Sequence, residues 1–160
     1  LGTNLVTAIL AAAAIGIFEA TIEKVVALAI LMPIVASMGG IAGMQSLALV
    51  IRSQALDQIG SSNSRLLIIK ESSIGILNGI LWSTVVALAV YLWFDSFFLG
   101  TVIASALMIN LIIGAVSGVS LPLILSKLNI DPALAGGVIL TTITDIVGFI
   151  SLLGIATLIM

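Results

Sequence analysis

The chain has 160 residues, of which 61% are hydrophobic and only 8% are charged. Soluble domains carry charge on roughly a quarter of their residues, so this composition predicts a membrane protein whose surface contacts the lipid bilayer. The net charge of −2 is too small to indicate a partner, and the chain lacks cysteine and histidine. Their absence excludes disulfides, thiolate sites and imidazole catalysis, and leaves oxygen ligands, which suit hard cations, for any metal.

Five hydrophobic stretches follow one another, and each is long enough to predict a membrane-crossing helix. They cover residues 1–18, 25–51, 73–94, 97–125 and 133–160. The first opens with Leu1 in an apolar run without a basic segment, so we expect a piece of a longer protein rather than a signal peptide. We therefore interpret residues 1–160 as a single transmembrane domain of the all-α class.

Local signals divide these stretches further. Pro33 and the run from Ser37 to Gly40 predict a kink or a break in the second helix. A polar connection follows over residues 52–71, with a loop-like centre at residues 60–64.

The last two connections are short. Asp95 marks a tight turn between the third and fourth stretches. Asp131 is expected to cap the last helix, with Pro132 in its first turn.

The basic residues predict the orientation of the chain. Four of the five lie in the second-to-third and fourth-to-fifth connections, namely Arg52, Arg65, Lys70 and Lys127. By the positive-inside rule these connections are cytoplasmic, which places the N-terminus inside and the C-terminus outside. We expect a multi-pass protein of the inner or plasma membrane.

Small and polar residues recur at four-residue spacing in three of the stretches. The sets are Asn110, Gly114 and Gly118; Gly75, Gly79 and Ser83; Ala36 and Gly40; and Gly39 and Gly43. Membrane bundles use such faces to bring helix backbones close together. The simplest interpretation of each set is tight packing between helices.

Asp145 is the only charged residue between Ala133 and Met160. It lies about 18 Å along a helix from Ala133, which is close to the middle of a hydrocarbon layer about 30 Å thick. Carboxylates at this depth usually face a bundle interior or a watery cavity and mark a path for ions or protons.

The helix face around this carboxylate is small and hydroxylated. Its members are Gly137, Thr141, Asp145 and Gly148, flanked by Thr142 and Thr144. Such a face favours a water-filled lining over a dry helix contact. The alternative is a carboxyl group hydrogen-bonded to a threonine or to Asn110 inside the bundle.

Two sequence motifs resemble those of a known family. Residues 33–46, PIVASMGGIAGMQS, followed by Arg52, resemble the P-x5-GGNxGxQS signature of the MgtE-type magnesium transporters and channels. Residues 110–114, 121–122, 131–133 and 141–148 (TTITDIVG) look like the end of that family's membrane domain. Ile41 departs from the pattern, because the family usually has Asn at this position.

The resemblance implies five transmembrane helices per protomer and a homodimer with a pore at the dimer interface. It also implies Mg²⁺ as the bound and transported ion, held at Asp145. The candidate ion-contacting residues are Asp145, Thr141, Thr142, Thr144, Asn110, Gly40 and Gly43. Mg²⁺ keeps several of its waters and needs only one or two carboxylates, so a pair of aspartates across a dimer axis suits a hydrated ion.

The expected partners are the lipid bilayer, divalent cations and a second copy of the chain. The cytoplasmic N-domain and paired CBS domains of the best-known family members have no counterpart in this sequence. A cytoplasmic regulatory domain or subunit outside these residues is therefore a further expected partner, whereas we expect no nucleic acid.

Three other functions compete with this interpretation. An intramembrane aspartyl protease needs two catalytic acids, and only Asp145 lies at depth, so we expect no enzyme. A proton-coupled cation carrier would use the same aspartate as its protonation site. A non-transporting assembly subunit would explain the packing faces but not the intramembrane acid.

Overall fold

The computed structural model describes residues 1–56 and 64–160, which form six helices within those ranges. These are α1 (Gly2–Gly16), α2 (Glu19–Lys24), α3 (Ala27–Ala55), α4 (Ser64–Phe94), α5 (Phe97–Lys127) and α6 (Pro132–Ile159). The loop-like centre predicted at residues 60–64 lies outside the described residues, except for Ser64, at which α4 begins. The all-α class is confirmed for the described residues.

Within residues 1–56 and 64–160, four helices are long and apolar enough to cross a membrane. They are Ala27–Ala55, Arg65–Phe94, Phe97–Lys127 and Pro132–Ile159. The first helix is apolar but has only 15 residues, about 22 Å of helix, which is less than a hydrocarbon layer of about 30 Å. Four of the five expected crossings therefore have a matching helix. The remaining one, at residues 1–18, stays a prediction.

The second predicted crossing is one unbroken helix, so the break predicted as one alternative near Gly39 and Gly40 is wrong, and the other alternative, a kink, stays a prediction. Pro33 lies inside α3, where its ring nitrogen cannot donate the usual bond to a carbonyl one turn earlier. Membrane helices tolerate this loss because neighbouring groups compensate for it. The glycines have a different role, since Gly39 is buried against α5 rather than placed at a helix end.

The third crossing begins nine residues earlier than the apolar stretch at residues 73–94. Helix α4 starts at Ser64 and includes the polar residues Arg65, Lys70 and Glu71. Arginine, lysine and glutamate are good helix formers, so the helix continues beyond the apolar segment. The hydrophobic boundary and the helix boundary are therefore different at this end.

The two short connections behave as predicted. Asp95 adopts a positive φ of 47° between α4 and α5, in a turn of two residues. Asn129 has a φ of 57° just after α5, a conformation that commonly ends helices and that asparagine tolerates. Asp131 Oδ1 then accepts a hydrogen bond of 2.8 Å from the Ala133 N–H, and Pro132 is the first residue of α6.

Helix α5 lies at the centre of the bundle and packs against α3, α4 and α6. Antiparallel connections put the start of α3, the start of α5 and the end of α6 at the same end of the bundle. There they enclose a core of aliphatic side chains, which includes Leu28, Leu31, Val35, Ile103, Leu107 and Leu152. These three helices thus share one core, and α1 packs against α6.

Three of the four predicted small-residue sets are confirmed as packing faces, whereas Ala36 and Gly40 line a cavity at the surface. A Cβ on Gly114 or Gly118 would meet the backbone carbonyl of Gly39 or Gly43 respectively, so α5 touches α3 backbone to backbone. On the opposite side, a Cβ on Gly75 would lie 2.7 Å from the Ala115 side chain. The glycines of α3, α4 and α5 therefore fix how closely these helices approach.

Candidate functional site

Asp145 lies midway along α6, about as far from Pro132 as from Ile159. It lines an open cavity of about 570 Å³ between α6 and one face of α3. The lining residues are Ala36, Ser37, Gly40, Ile41, Met44, Gln45, Ala48, Thr141 and Asp145. The cavity opens on the outer surface of the protomer, where Ile41 is 54% exposed.

A second cavity continues the first towards the end of α3. It has a volume of about 360 Å³ and shares Met44 and Ala48 with the first cavity. Its lining extends to Arg52 on α3 and to Ala133 and Gly137 on α6. We call the two cavities together the α3–α6 furrow; it runs from the middle of the membrane-crossing helices to a basic end.

The carboxylate of Asp145 is half-buried and accepts no hydrogen bond from residues 1–56 or 64–160. The alternative, a hydrogen bond from this carboxyl group to a threonine or to Asn110, is therefore not found among these residues. The Thr141 hydroxyl donates to the carbonyls of Gly137 and Val138, at 3.1 Å each. Because the donor is used within the helix, the hydroxyl oxygen is left as an acceptor beside the carboxylate.

Gly40 completes this part of the furrow on the α3 side. A Cβ placed on it would lie 3.7 Å from Thr144 Oγ1, an ordinary contact, and nothing else lies within 4 Å. The missing side chain therefore leaves space in front of Asp145, and close helix packing does not require it. Asp145, Thr141 and Gly40 are the three predicted residues that line the furrow.

The other four predicted residues lie elsewhere. Asn110 and Thr144 are fully buried inside the bundle, and Gly43 is buried against the Gly114 carbonyl and Leu140. Thr142 is half-buried, and its hydroxyl donates to the Val138 carbonyl at 2.7 Å. None of the four lines the furrow in the described structure.

Asn110 instead bridges two helices. Its Nδ2 donates a hydrogen bond of 2.8 Å to the Val35 carbonyl of α3. Thr144 is likewise occupied within its own helix, where its hydroxyl donates to the carbonyls of Leu140 and Thr141 at 3.1 Å each.

Glu71 is a polar residue whose position sequence reasoning missed. It was grouped with the polar connection, yet it is only 7% exposed in α4 and accepts a 2.8 Å hydrogen bond from Ser46 of α3. Its spacing in the sequence could have indicated the buried position, because Glu71 precedes Gly75 by four residues and so extends the face of small residues on α4. The pair ties α4 to α3 behind the furrow.

Among the described residues, one copy of the chain offers a single carboxylate, that of Asp145, to a cation in the furrow. Among the described residues there is no group of three or more acidic, histidine or cysteine side chains that could hold a metal. The remaining oxygen donors of the lining are Ser37, Gln45 and Thr141. Such a set suits a cation that keeps its water ligands better than one that is stripped of them.

Known transporters are similar to this chain in sequence. The family model MgtE, described as a divalent cation transporter, matches residues 32–155. The chain is 41% identical over 143 residues to "Magnesium transporter MgtE" of Bacillus subtilis (strain 168). It is 32% identical to the protein of that name in Thermus thermophilus and 29% identical to that in Enterococcus faecalis. Each match covers 89% of this chain but 32% of the relative's length.

The contrast between Gly40 and Gly43 can be tested by adding one methyl group to each. Gly43→Ala should lower the free energy of unfolding by about 1–3 kcal/mol, because its Cβ would lie 2.9 Å from the Gly114 carbonyl oxygen. Gly40→Ala should stay within about 0.5 kcal/mol of the parent protein. Thermal unfolding of both variants in detergent measures the difference; equal losses would contradict the assignment of Gly40 to the furrow.

Proposed function

This chain belongs to the MgtE family, and on that premise we propose that its membrane helices carry a divalent cation, Mg²⁺ in particular, along the α3–α6 furrow. The observation that carries the proposal is the Asp145 carboxylate, which lies halfway along a membrane-crossing helix and lines an open furrow. The related proteins are named as magnesium transporters. We propose transport rather than catalysis for this chain as well.

A second copy of the chain is the proposed cover of the furrow. In a lone protomer the open side would place Asp145 next to lipid, and a charged side chain at the centre of a membrane helix costs roughly 2.5–3.5 kcal/mol on insertion scales. Two furrows facing each other would instead enclose a shared aqueous path. We therefore propose a homodimer with its pore between the two α3–α6 furrows.

The ion chemistry of such a path follows from the oxygen donors at its walls. Two Asp145 carboxylates, one from each copy, would balance the charge of one divalent cation. Mg²⁺ is small, prefers octahedral coordination and loses water reluctantly. The Thr141 hydroxyl oxygens and the carboxylates would then accept hydrogen bonds from the waters that the ion keeps.

The orientation and regulation of the chain are part of the proposal. The basic residues Arg52, Arg65, Lys70 and Lys127 favour a cytoplasmic position for the ends of α3 and α5. The furrow would then run from mid-membrane to the cytoplasmic side at Arg52. Because the matched region is 32% of each relative's length, we propose that opening is regulated by a domain or subunit outside residues 1–160.

Neutralising Asp145 tests the proposed function directly. Asp145→Asn should lower Mg²⁺ uptake into liposomes holding the purified chain by about ten- to hundredfold, the effect of losing hydrogen bonds to a charged group. Asp95→Asn is the matched control, because it makes the same change in the exposed turn before α5. Asparagine also tolerates the positive φ at that position.

The same assay separates the alternatives. Unchanged Mg²⁺ uptake in Asp145→Asn would contradict the proposed ion site. The absence of Mg²⁺ uptake by the parent protein would favour a non-transporting assembly subunit. Uptake by the parent protein that requires a proton gradient would favour a proton-coupled carrier that uses Asp145 as its protonation site. Uptake that follows the Mg²⁺ gradient alone supports a channel.

Single cysteines test the orientation, since the chain has no cysteine of its own. Phe97 at the start of α5 is 80% exposed, and Leu128 just after its end is 62% exposed. In intact cells, a membrane-impermeant thiol reagent should label Phe97→Cys but not Leu128→Cys. Labelling of both from outside, or of Leu128→Cys alone, would contradict the proposed topology.

A further inference from the structure

We propose that Asn110, buried behind the α3–α6 furrow, is a positioning residue that sets the separation of α3 and α6 at the level of Asp145. By fixing this separation, it determines how well the furrow distinguishes Mg²⁺ from Ca²⁺. The inference deepens the proposed function and rests on it. Asn110 belongs to α5 and is not exposed at all, so it acts on the furrow without touching the ion.

The first support is the hydrogen bond from Asn110 to α3. Its Nδ2 donates to the Val35 carbonyl at 2.8 Å, inside the bundle. Val35 lies about one turn before Gly40, which lines the furrow in front of Asp145. A fixed bond to the backbone at this point restricts both the rotation of α3 and its distance from α5.

The second support is the space that the amide group occupies. A Cβ added to Gly148 of α6 would lie 2.8 Å from Asn110 Nδ2, and a Cβ added to Gly39 of α3 would collide with the same amide. The planar amide therefore fills the gap between two side-chain-free positions on facing helices. Gly39 adjoins Gly40, and Gly148 lies three residues after Asp145. The two helices that line the furrow, α3 and α6, therefore both pack against the Asn110 amide.

The third support is that a polar side chain at position 110 is energetically unfavourable, so its hydrogen-bond donor must offset that cost. Asn110 Oδ1 is buried and has no hydrogen-bond partner within the described residues. An unsatisfied buried acceptor is unfavourable, and an apolar side chain would avoid it. Compared with an apolar side chain of similar size, the amide of Asn110 adds a hydrogen-bond donor. That donor binds the Val35 carbonyl of α3.

The consequence for selectivity follows from the geometry of the two ions. Mg²⁺ demands a near-ideal octahedral shell, whereas Ca²⁺ accepts six to eight oxygen ligands in flexible arrangements. A furrow of fixed width can match one hydrated ion, and a furrow that varies in width accepts both. Loosening the contact between α3 and α6 should therefore favour Ca²⁺ relative to Mg²⁺.

The first experiment measures the ratio of Mg²⁺ to Ca²⁺ uptake in proteoliposomes. Asn110→Ala should lower this ratio by about threefold or more, the scale set by one interhelical hydrogen bond. The ratio does not depend on how much active protein each vesicle holds, so a merely structural defect leaves it unchanged. Asn78→Ala is the matched control, because Asn78 is a half-buried asparagine of the membrane helix α4.

The second experiment uses Gly148 to test the spacer itself. Gly148→Ala alone should lower thermal stability, because its methyl group meets the Asn110 amide. The same substitution should cost less in Asn110→Ala, where that space is free. The double variant, Asn110→Ala with Gly148→Ala, should stay less selective than the parent protein, because no side chain donates a hydrogen bond to the Val35 carbonyl. If Asn110→Ala alone fails to fold, the ratio of Mg²⁺ to Ca²⁺ uptake is measured in this double variant instead.

The outcomes separate this inference from the function on which it rests. A parent protein that moves no divalent cation overturns both. A parent protein that prefers Mg²⁺, together with Asn110 variants that keep the same ratio, overturns the inference alone. Equal losses of stability from Gly148→Ala in both backgrounds would show that the amide is not the spacer between α3 and α6.

Discussion

A carboxylate in the middle of a membrane must be surrounded by water, by protein or by a cation, because hydrocarbon cannot solvate it. Asp145 meets none of these conditions fully within one protomer. Its side chain is half-buried, accepts no hydrogen bond from the described residues, and lines a furrow that opens outwards. This constraint links the fold to the function, since whatever covers the furrow must also accommodate the charge.

Backbone contacts between α3 and α5 hold the furrow in place. Gly39 and Gly43 of α3 lie so close to Gly114 and Gly118 of α5 that a methyl group added to Gly43, Gly114 or Gly118 would collide with a backbone carbonyl of the facing helix. In lipid, where no hydrophobic force drives helices together, such close packing and a few interhelical hydrogen bonds supply the association. The bonds from Asn110 to Val35 and from Ser46 to Glu71 are of this kind.

The sequence predicted the features that depend on local chemistry. Turn and cap residues located the connections at Asp95 and Asp131, and four-residue spacing identified the packing faces of α4 and α5. Which face of each helix points into the bundle was harder to predict, because helices that face both lipid and protein are apolar on all sides. The sequence therefore grouped Thr144 and Asn110 with Asp145, although their side chains lie inside the bundle. For the glycines of α3 it allowed both a helix contact and a kink or break, because each of these favours residues without side chains.

The proposed ion site is tested most directly by a structure of the protein in lipid nanodiscs with Mg²⁺, determined by electron cryomicroscopy. We expect two protomers whose α3–α6 furrows face each other, with density between the two Asp145 carboxylates. The distance from each carboxylate oxygen to that density should exceed the roughly 2.0–2.1 Å of a direct Mg²⁺ bond, because water lies between them. Two Asp145 side chains that point away from each other, into lipid or into separate protomer cores, would overturn the proposed pore.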